Sequence, residues 1–239
     1  MQYISLLSTI ITIIFILAVL GRYRRKGGAH LLLWSIGLVF YGLGTFTEVI
    51  LALAYSGLVL KVWYLTGAML TAAWLGQGSV SLLIRRGRIA QGLTVVLAVV
   101  SLAALGLVLA APLTGAEAAY NTAQPASEQY KAILERSSGM ILLTVLLNIY
   151  GTLTLVGGAI YSAYLFWRKK VLLNRVVGNI LIAAGALLPA SAGFFIQAGL
   201  VDWLYISEFL GVILMYLGFV QATASLPERR EAPLSSPVQ

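Results

Sequence analysis

Seven separate runs of about twenty mostly apolar residues constrain this chain more than any other feature. They cover 3–20, 31–54, 59–84, 89–111, 139–167, 172–198 and 203–223. A helix rises about 1.5 Å per residue, so each run is long enough to cross the roughly 30 Å hydrocarbon core of a bilayer. Composition removes the alternatives. The chain is 60% hydrophobic and only 10% charged, where a soluble domain carries about 25% charged residues. A soluble chain so poor in charge cannot cover its own surface, and so apolar a chain does not stay disordered. The expected fold is all-α: a polytopic membrane protein whose seven transmembrane helices occupy residues 1–225, with a disordered tail at 226–239. The first run is not read as a cleavable signal peptide. Met-Gln-Tyr before it carries no positive charge, and the basic cluster follows the apolar run.

The charges predict an orientation. Arg22, Arg24, Arg25 and Lys26 follow the first run, and Arg85, Arg86 and Arg88 follow the third. Arg168, Lys169, Lys170 and Arg175 surround the turn after the fifth, and Arg229 and Arg230 lie in the tail. Thirteen of the 16 basic residues thus share one side, against Lys61, Lys131 and Arg136 on the other. The positive-inside rule puts the N-terminus outside and the C-terminus in the cytoplasm, in a bacterial inner (plasma) membrane. The formal net charge of +8 is read as topology plus attraction to anionic lipid. Nucleic acid is not an expected partner, because no basic stripe interleaved with aromatics lies in a soluble domain.

Several chemistries lack their residues. There is no Cys, so thiolate chemistry, disulfides and Cys-ligated metals are out. One His, His30, cannot build bis-His haem or three-His zinc ligation, and one Asp, Asp202, cannot build a paired-Asp protease. None of Lys26, Lys61, Lys131, Lys169 and Lys170 lies deep in a run, so no retinal Schiff base is available. No catalytic residue, metal site or cofactor is called for. An enzyme is disfavoured, although chemistry on a bound cofactor stays open.

Most loops are short. The exception runs from about 112 to 138 and is broken by Pro112, Gly115 and Pro125. Within it, Ser127 to Arg136 reads as a short amphipathic helix, with Tyr130, Ile133 and Leu134 on one face and Lys131 and Glu135 spaced for an i,i+4 pair. It either lies on the outer lipid interface or covers an outward-facing pocket. A weak repeat relates Gly57-Leu-Val to Gly199-Leu-Val and the basic turn at Arg25-Lys26 to that at Lys169-Lys170. Two readings are open: three spans, one linking span and three spans as parallel repeats, or coincidence between Gly/Leu/Trp-rich helix starts.

Polar residues inside the runs are the functional lead. Glu48 and Glu208 each stand about six residues inside the outer end of a span. Carboxylates in hydrocarbon are costly and usually face a bundle interior. Gly37, Tyr41, Gly44 and Glu48 make one helical stripe, and Tyr205, Glu208, Val212 and Met215 make another. In the third span, an α-helical wheel puts Trp63, Gly67, Leu70, Trp74 and Gln77 on one side. Thr144, Asn148 and Thr152 follow in the fifth span, and Asn179, Ala183, Ala186, Ala190, Gly193 and Gln197 in the sixth, which Pro189 should kink. Two polar levels are expected: Glu48, Glu208, Lys61, Asn148 and Gln197 outside, Gln77 and Asn179 inside. The amides also fit interhelical hydrogen bonding, and Lys61 fits a structural partner for a carboxylate. The ligand-binding set expected is Glu48, Glu208, Tyr41, Lys61, Trp74, Asn148 and Tyr205.

The basic turn Arg22–Lys26, the Trp34 to Glu48 run and the Trp63 to Gly78 run resemble the seven-helix membrane input modules at the N-terminus of bacterial sensor kinases. The resemblance spans residues 1–225 and implies a signalling role, but the sequence carries no kinase or other output segment. Small sugar transporters share the three-one-three plan, but their Pro-Gln signature is missing from spans one and five. The leading expectation is a sensor-like or accessory subunit. It would bind a small apolar or amphipathic ligand, or a lipid, near the outer leaflet and signal to a membrane or cytoplasmic protein partner. A small solute or proton-coupled transporter and a scaffold subunit are the alternatives.

Overall fold

The computed structural model describes residues 2–84, 88–169, 173–191 and 201–224. These are helical almost throughout. The helices are α1 (Gln2–Lys26), α2 (Ala29–Leu53), α3 (Gly57–Trp63), α4 (Thr71–Leu83), α5 (Ile89–Ala110), α6 (Ala126–Ile133), α7 (Ser138–Arg168), α8 (Leu173–Ala190) and α9 (Val201–Thr223). A π-helical segment, Tyr64–Leu70, joins α3 to α4 into one span. Seven of the resulting helices are long and apolar enough to cross a membrane. Arg85, Arg86, Lys170, Gly193, Gln197, Arg229 and Arg230, with the 226–239 tail and the Gly199 end of the repeat, lie outside the described residues.

Helix α1 runs past residue 20 to Lys26, because the basic turn continues the helix beyond the apolar run. Gly27 and Gly28, at φ 65° and 108°, then reverse the chain into α2 in conformations that cost other residues energy. Helix α1 packs on α2, α2 on α4, α4 on α7, α7 on α8, α8 on α9, and α9 back on α1. Six spans therefore close a ring, and α5 lies outside it against α3, α4 and α7. The reason is legible in α5: only Ala90, Leu97, Ala104 and Val108 are buried. They make one narrow seam, while Val95, Val96, Val99 and Leu102 face outward.

Small residues set the ring's tightness. A Cβ on Gly185 of α8 would stand 2.6 Å from the Gly211 carbonyl of α9, and one on Gly151 of α7 would stand 2.2 Å from the Ala72 backbone. Close backbone approach of this kind is how helices associate where no hydrophobic effect separates protein from solvent.

The two ends of the ring differ. Phe15, Leu38, Leu75, Leu155, Met215 and Phe219 belong to one apolar cluster that fills the end carrying the basic turns. There the Arg22 guanidinium donates to the Thr223 carbonyl at 3.2 Å, tying α1 to α9. The opposite end is covered by the 112–138 segment, where Leu113 bridges Leu134 and Thr114 N–H donates to the Ile133 carbonyl at 2.8 Å. The helix in that segment ends at Ile133, so Lys131 and Glu135 do not share a helical face.

Candidate functional site

The site is built on α2. Gly37, Tyr41, Gly44 and Glu48 are all buried along one stripe of this regular helix. The Glu48 side chain is 7% exposed. Its carboxylate accepts a hydrogen bond from Trp63 Nε1 at 2.9 Å and another from Ser5 Oγ at 3.0 Å. Three helices thus meet on one buried acid. Tyr41, about two turns away, donates its hydroxyl to the Glu208 main-chain carbonyl at 2.7 Å and fastens α9 to α2.

Glu208 is placed differently. Among the described residues, no donor hydrogen-bonds to its carboxylate. It faces a cavity of about 380 Å³ inside the ring, which Glu48 also lines. Tyr41 and Gly44 of α2, Trp63 of α3, Asn148 and Thr152 of α7, and Pro189 of α8 complete much of the wall. The roof is α6, whose Ser127 and Tyr130 face the cavity. Ser127 is 2% exposed, and its hydroxyl shares a 3.2 Å hydrogen bond with Tyr205. Of the two roles open to this short helix, covering a pocket is the one its position fits.

A second space of about 320 Å³ lies on the far side of Glu48, lined by Tyr3, Ser5, Tyr120 and Tyr205 among others. Glu48 borders both spaces. The Tyr120 hydroxyl is buried with no hydrogen-bond partner among the described residues. Burial first, then the nearby Glu48 carboxylate and Tyr55, push its pKa to about 12. It is a neutral donor at physiological pH.

The π segment corrects the third span. An α-helical wheel sets Trp63, Gly67, Leu70, Trp74 and Gln77 on one side, but π hydrogen bonds reach i+5 and advance fewer degrees per residue. The bond from Thr71 N–H to the Thr66 carbonyl marks this register. Thr71 and Leu75 swing into line with Trp63 and Gly67 on the cavity wall. Trp74 and Gln77 turn to α5 instead: Trp74 Nε1 donates to Ser101 Oγ at 3.0 Å, and Gln77 Nε2 donates to the Ala90 carbonyl at 2.9 Å. Tyr150 of α7 completes that amide network by donating to Gln77 Oε1. Asn148 Nδ2 donates to the Ala68 carbonyl inside the π segment at 2.7 Å, supplying a partner to backbone that irregular helix leaves short of one.

Of the expected ligand-binding set, Glu48, Glu208, Tyr41 and Asn148 meet at the cavity, and Tyr205 lines the second space. Trp74 packs edge-on against Phe40 and does not line either space. Lys61 donates to the Leu109 carbonyl of α5 at 2.8 Å and partners neither carboxylate. Residues two apart on a helix do not face together, so Trp63 pointing inward sends Lys61 outward. The expected inner level does not assemble either, since Asn179 Nδ2 bonds its own helix at the Arg175 carbonyl. Helix α1 contributes polar residues that its apolar run hides. Ser5, Ser8, Thr9 and Thr12 are buried hydroxyls at i, i+3, i+4 and i+7, and that spacing was the available signal. Among the described residues no three His, Cys, Asp or Glu side chains gather as a metal site.

Protein-family models, curated proteins and solved structures provide no match to this chain.

Proposed function

We propose that this protein is a ligand-binding membrane subunit, sensor-like in role, that takes a small amphipathic molecule into the cavity between Glu48 and Glu208. The observation that carries the reading is Glu208: a carboxylate with no hydrogen-bond partner among the described residues, facing a space kept open inside a ring of six helices. A bundle with no ligand gains nothing from such a group, since acids inside a membrane are expensive. At about 380 Å³, the space is near the lower end of the roughly 300–1,000 Å³ usual for small-ligand sites.

In this reading the chain sits in a bacterial plasma membrane with its N-terminus outside, the orientation that the basic turns support. The α6 roof and the Tyr120 space then face outward, and a ligand arrives there. The apolar cluster from Phe15 to Phe219 runs from the cavity wall, at Leu75 and Met215, toward the other end, which supports reception from one side over passage through the bundle. The bound state would be read by a separate membrane or cytoplasmic partner. The three-one-three order of the spans along the sequence supports a second reading, a small-solute transporter built as parallel repeats. Uptake into proteoliposomes separates the two.

The test is a thermal-shift panel of small neutral, cationic and anionic amphipaths on detergent-purified protein. At least one class should raise the unfolding temperature, and Thr152→Trp, which fills the cavity, should abolish the shift. A folded protein stabilised by no member of the panel contradicts the reading. Orientation is tested separately. The chain has no Cys, so Ala123→Cys and Lys26→Cys each carry one thiol. An impermeant maleimide should label the first and not the second in intact cells.

A further inference from the structure

The charge balance of the cavity narrows what it accepts. Two carboxylates line it, Glu48 and Glu208, and among the described residues no Lys, Arg or His does. Two candidates for a counter-charge, Lys61 and Arg136, do not line it. Lys61 bonds the Leu109 carbonyl, and the Arg136 guanidinium lies 5.0 Å over the Tyr130 ring without lining the cavity. Glu48 has two donors and Glu208 has none among the described residues. Beside the carboxylates, the wall mixes polar side chains, among them Thr45, Thr71, Asn148 and Thr152, with the aromatic residues Trp63, Tyr41 and Tyr130. Aromatic faces attract an organic cation, and more strongly once water is excluded. A buried acid gains most from an ion that completes its pairing. A bare divalent metal fits poorly, because it asks for six or more oxygen ligands where the hard ion is calcium, and the wall is largely carbon.

Resting on the reading that this cavity is a ligand site, we infer that it selects a small organic cation: a substituted ammonium head set between Glu208 and Trp63, with a compact apolar body against Gly67, Leu75 and Met215. An anionic amphipath meets two acids and no cation. A neutral one fills the volume but leaves Glu208 unpaired.

Three probes of closely similar shape test this on the detergent-purified full chain by calorimetric titration: benzyltrimethylammonium, its uncharged carbon isostere neopentylbenzene, and phenylacetate. The cation should bind at least about tenfold more tightly than the isostere, and phenylacetate should not bind measurably. Glu208→Gln should cut cation affinity about tenfold or more while leaving the isostere within about twofold. Because Glu208 holds no described side chain in place, this variant should fold, and circular dichroism with thermal unfolding verifies it. Glu48→Gln is the second variant, expected to weaken the cation less. Lys61→Gln, outside the cavity, should change neither. Equal or tighter binding of the neutral or anionic probe overturns the cation inference and leaves the ligand site standing. Loss of cation binding in Lys61→Gln but not in Glu208→Gln also overturns it. Failure of all three probes overturns the inference, and the broader amphipath panel then decides whether the ligand-site reading falls with it.

Discussion

Glu48 and Glu208 are the same residue type at a similar depth, yet the protein uses them differently. Glu48 is stitched into the bundle by Ser5 and Trp63. Glu208 has its backbone held, by Tyr41, and its carboxylate left to the cavity. A buried acid with two donors is part of the fold, since removing it orphans both. A half-buried acid with none, as Glu208 is, carries a cost that the fold does not recover internally. The contrast separates a structural carboxylate from an available one.

Four substitutions break or sharpen that contrast, read as thermal unfolding in detergent. Glu48→Ala should have the largest effect. It leaves Ser5 Oγ and Trp63 Nε1 without partners, each worth about 1–3 kcal/mol, for a loss of about 3 kcal/mol. A loss below about 1 kcal/mol would mean that Glu48 is no more structural than Glu208. Gly185→Val comes next, at about 2 kcal/mol, because the new Cβ meets the Gly211 carbonyl at 2.6 Å and pushes α9 off α8. It moves the wall that holds Glu208 and spares the Ser5–Glu48–Trp63 bonds. Tyr41→Phe should cost about 1 kcal/mol through the lost bond to the Glu208 carbonyl. Glu208→Ala should change stability least, within about 0.5 kcal/mol or toward greater stability. If it matched Glu48→Ala, the distinction between the two acids would be gone.

The sequence announced some of this and concealed the rest for identifiable reasons. The seven spans were legible because apolar length survives any rotation of a helix. The α2 stripe was legible because α2 is regular, so Gly37, Tyr41, Gly44 and Glu48 fall where a 3.6-residue period puts them. The same arithmetic failed in the third span at Tyr64–Leu70, where π geometry rotates everything after it. That cost the reading Trp74 and hid Thr71. Lys61 was misjudged because it shares an end of the bundle with Glu48, and depth along a helix says nothing about which way a side chain points. The α1 hydroxyls were readable in spacing but masked by hydropathy: Leu6, Ile10, Ile13 and Leu17 face outward while Ser5, Thr9 and Thr12 face in. In a membrane, polar-in and apolar-out is the useful pattern.

The most direct test of an available negative charge in the cavity uses the chain's lack of cysteine. Thr152→Cys puts the only thiol on the cavity wall. Its modification rate is measured with a cationic and an anionic methanethiosulfonate of similar size, each normalised to a free thiol. The cationic reagent should react at least about tenfold faster. Adding Glu208→Gln should collapse that ratio, and adding Glu48→Gln should reduce it less. Equal rates for the two reagents, or a ratio abolished by Glu48→Gln and untouched by Glu208→Gln, would contradict the account.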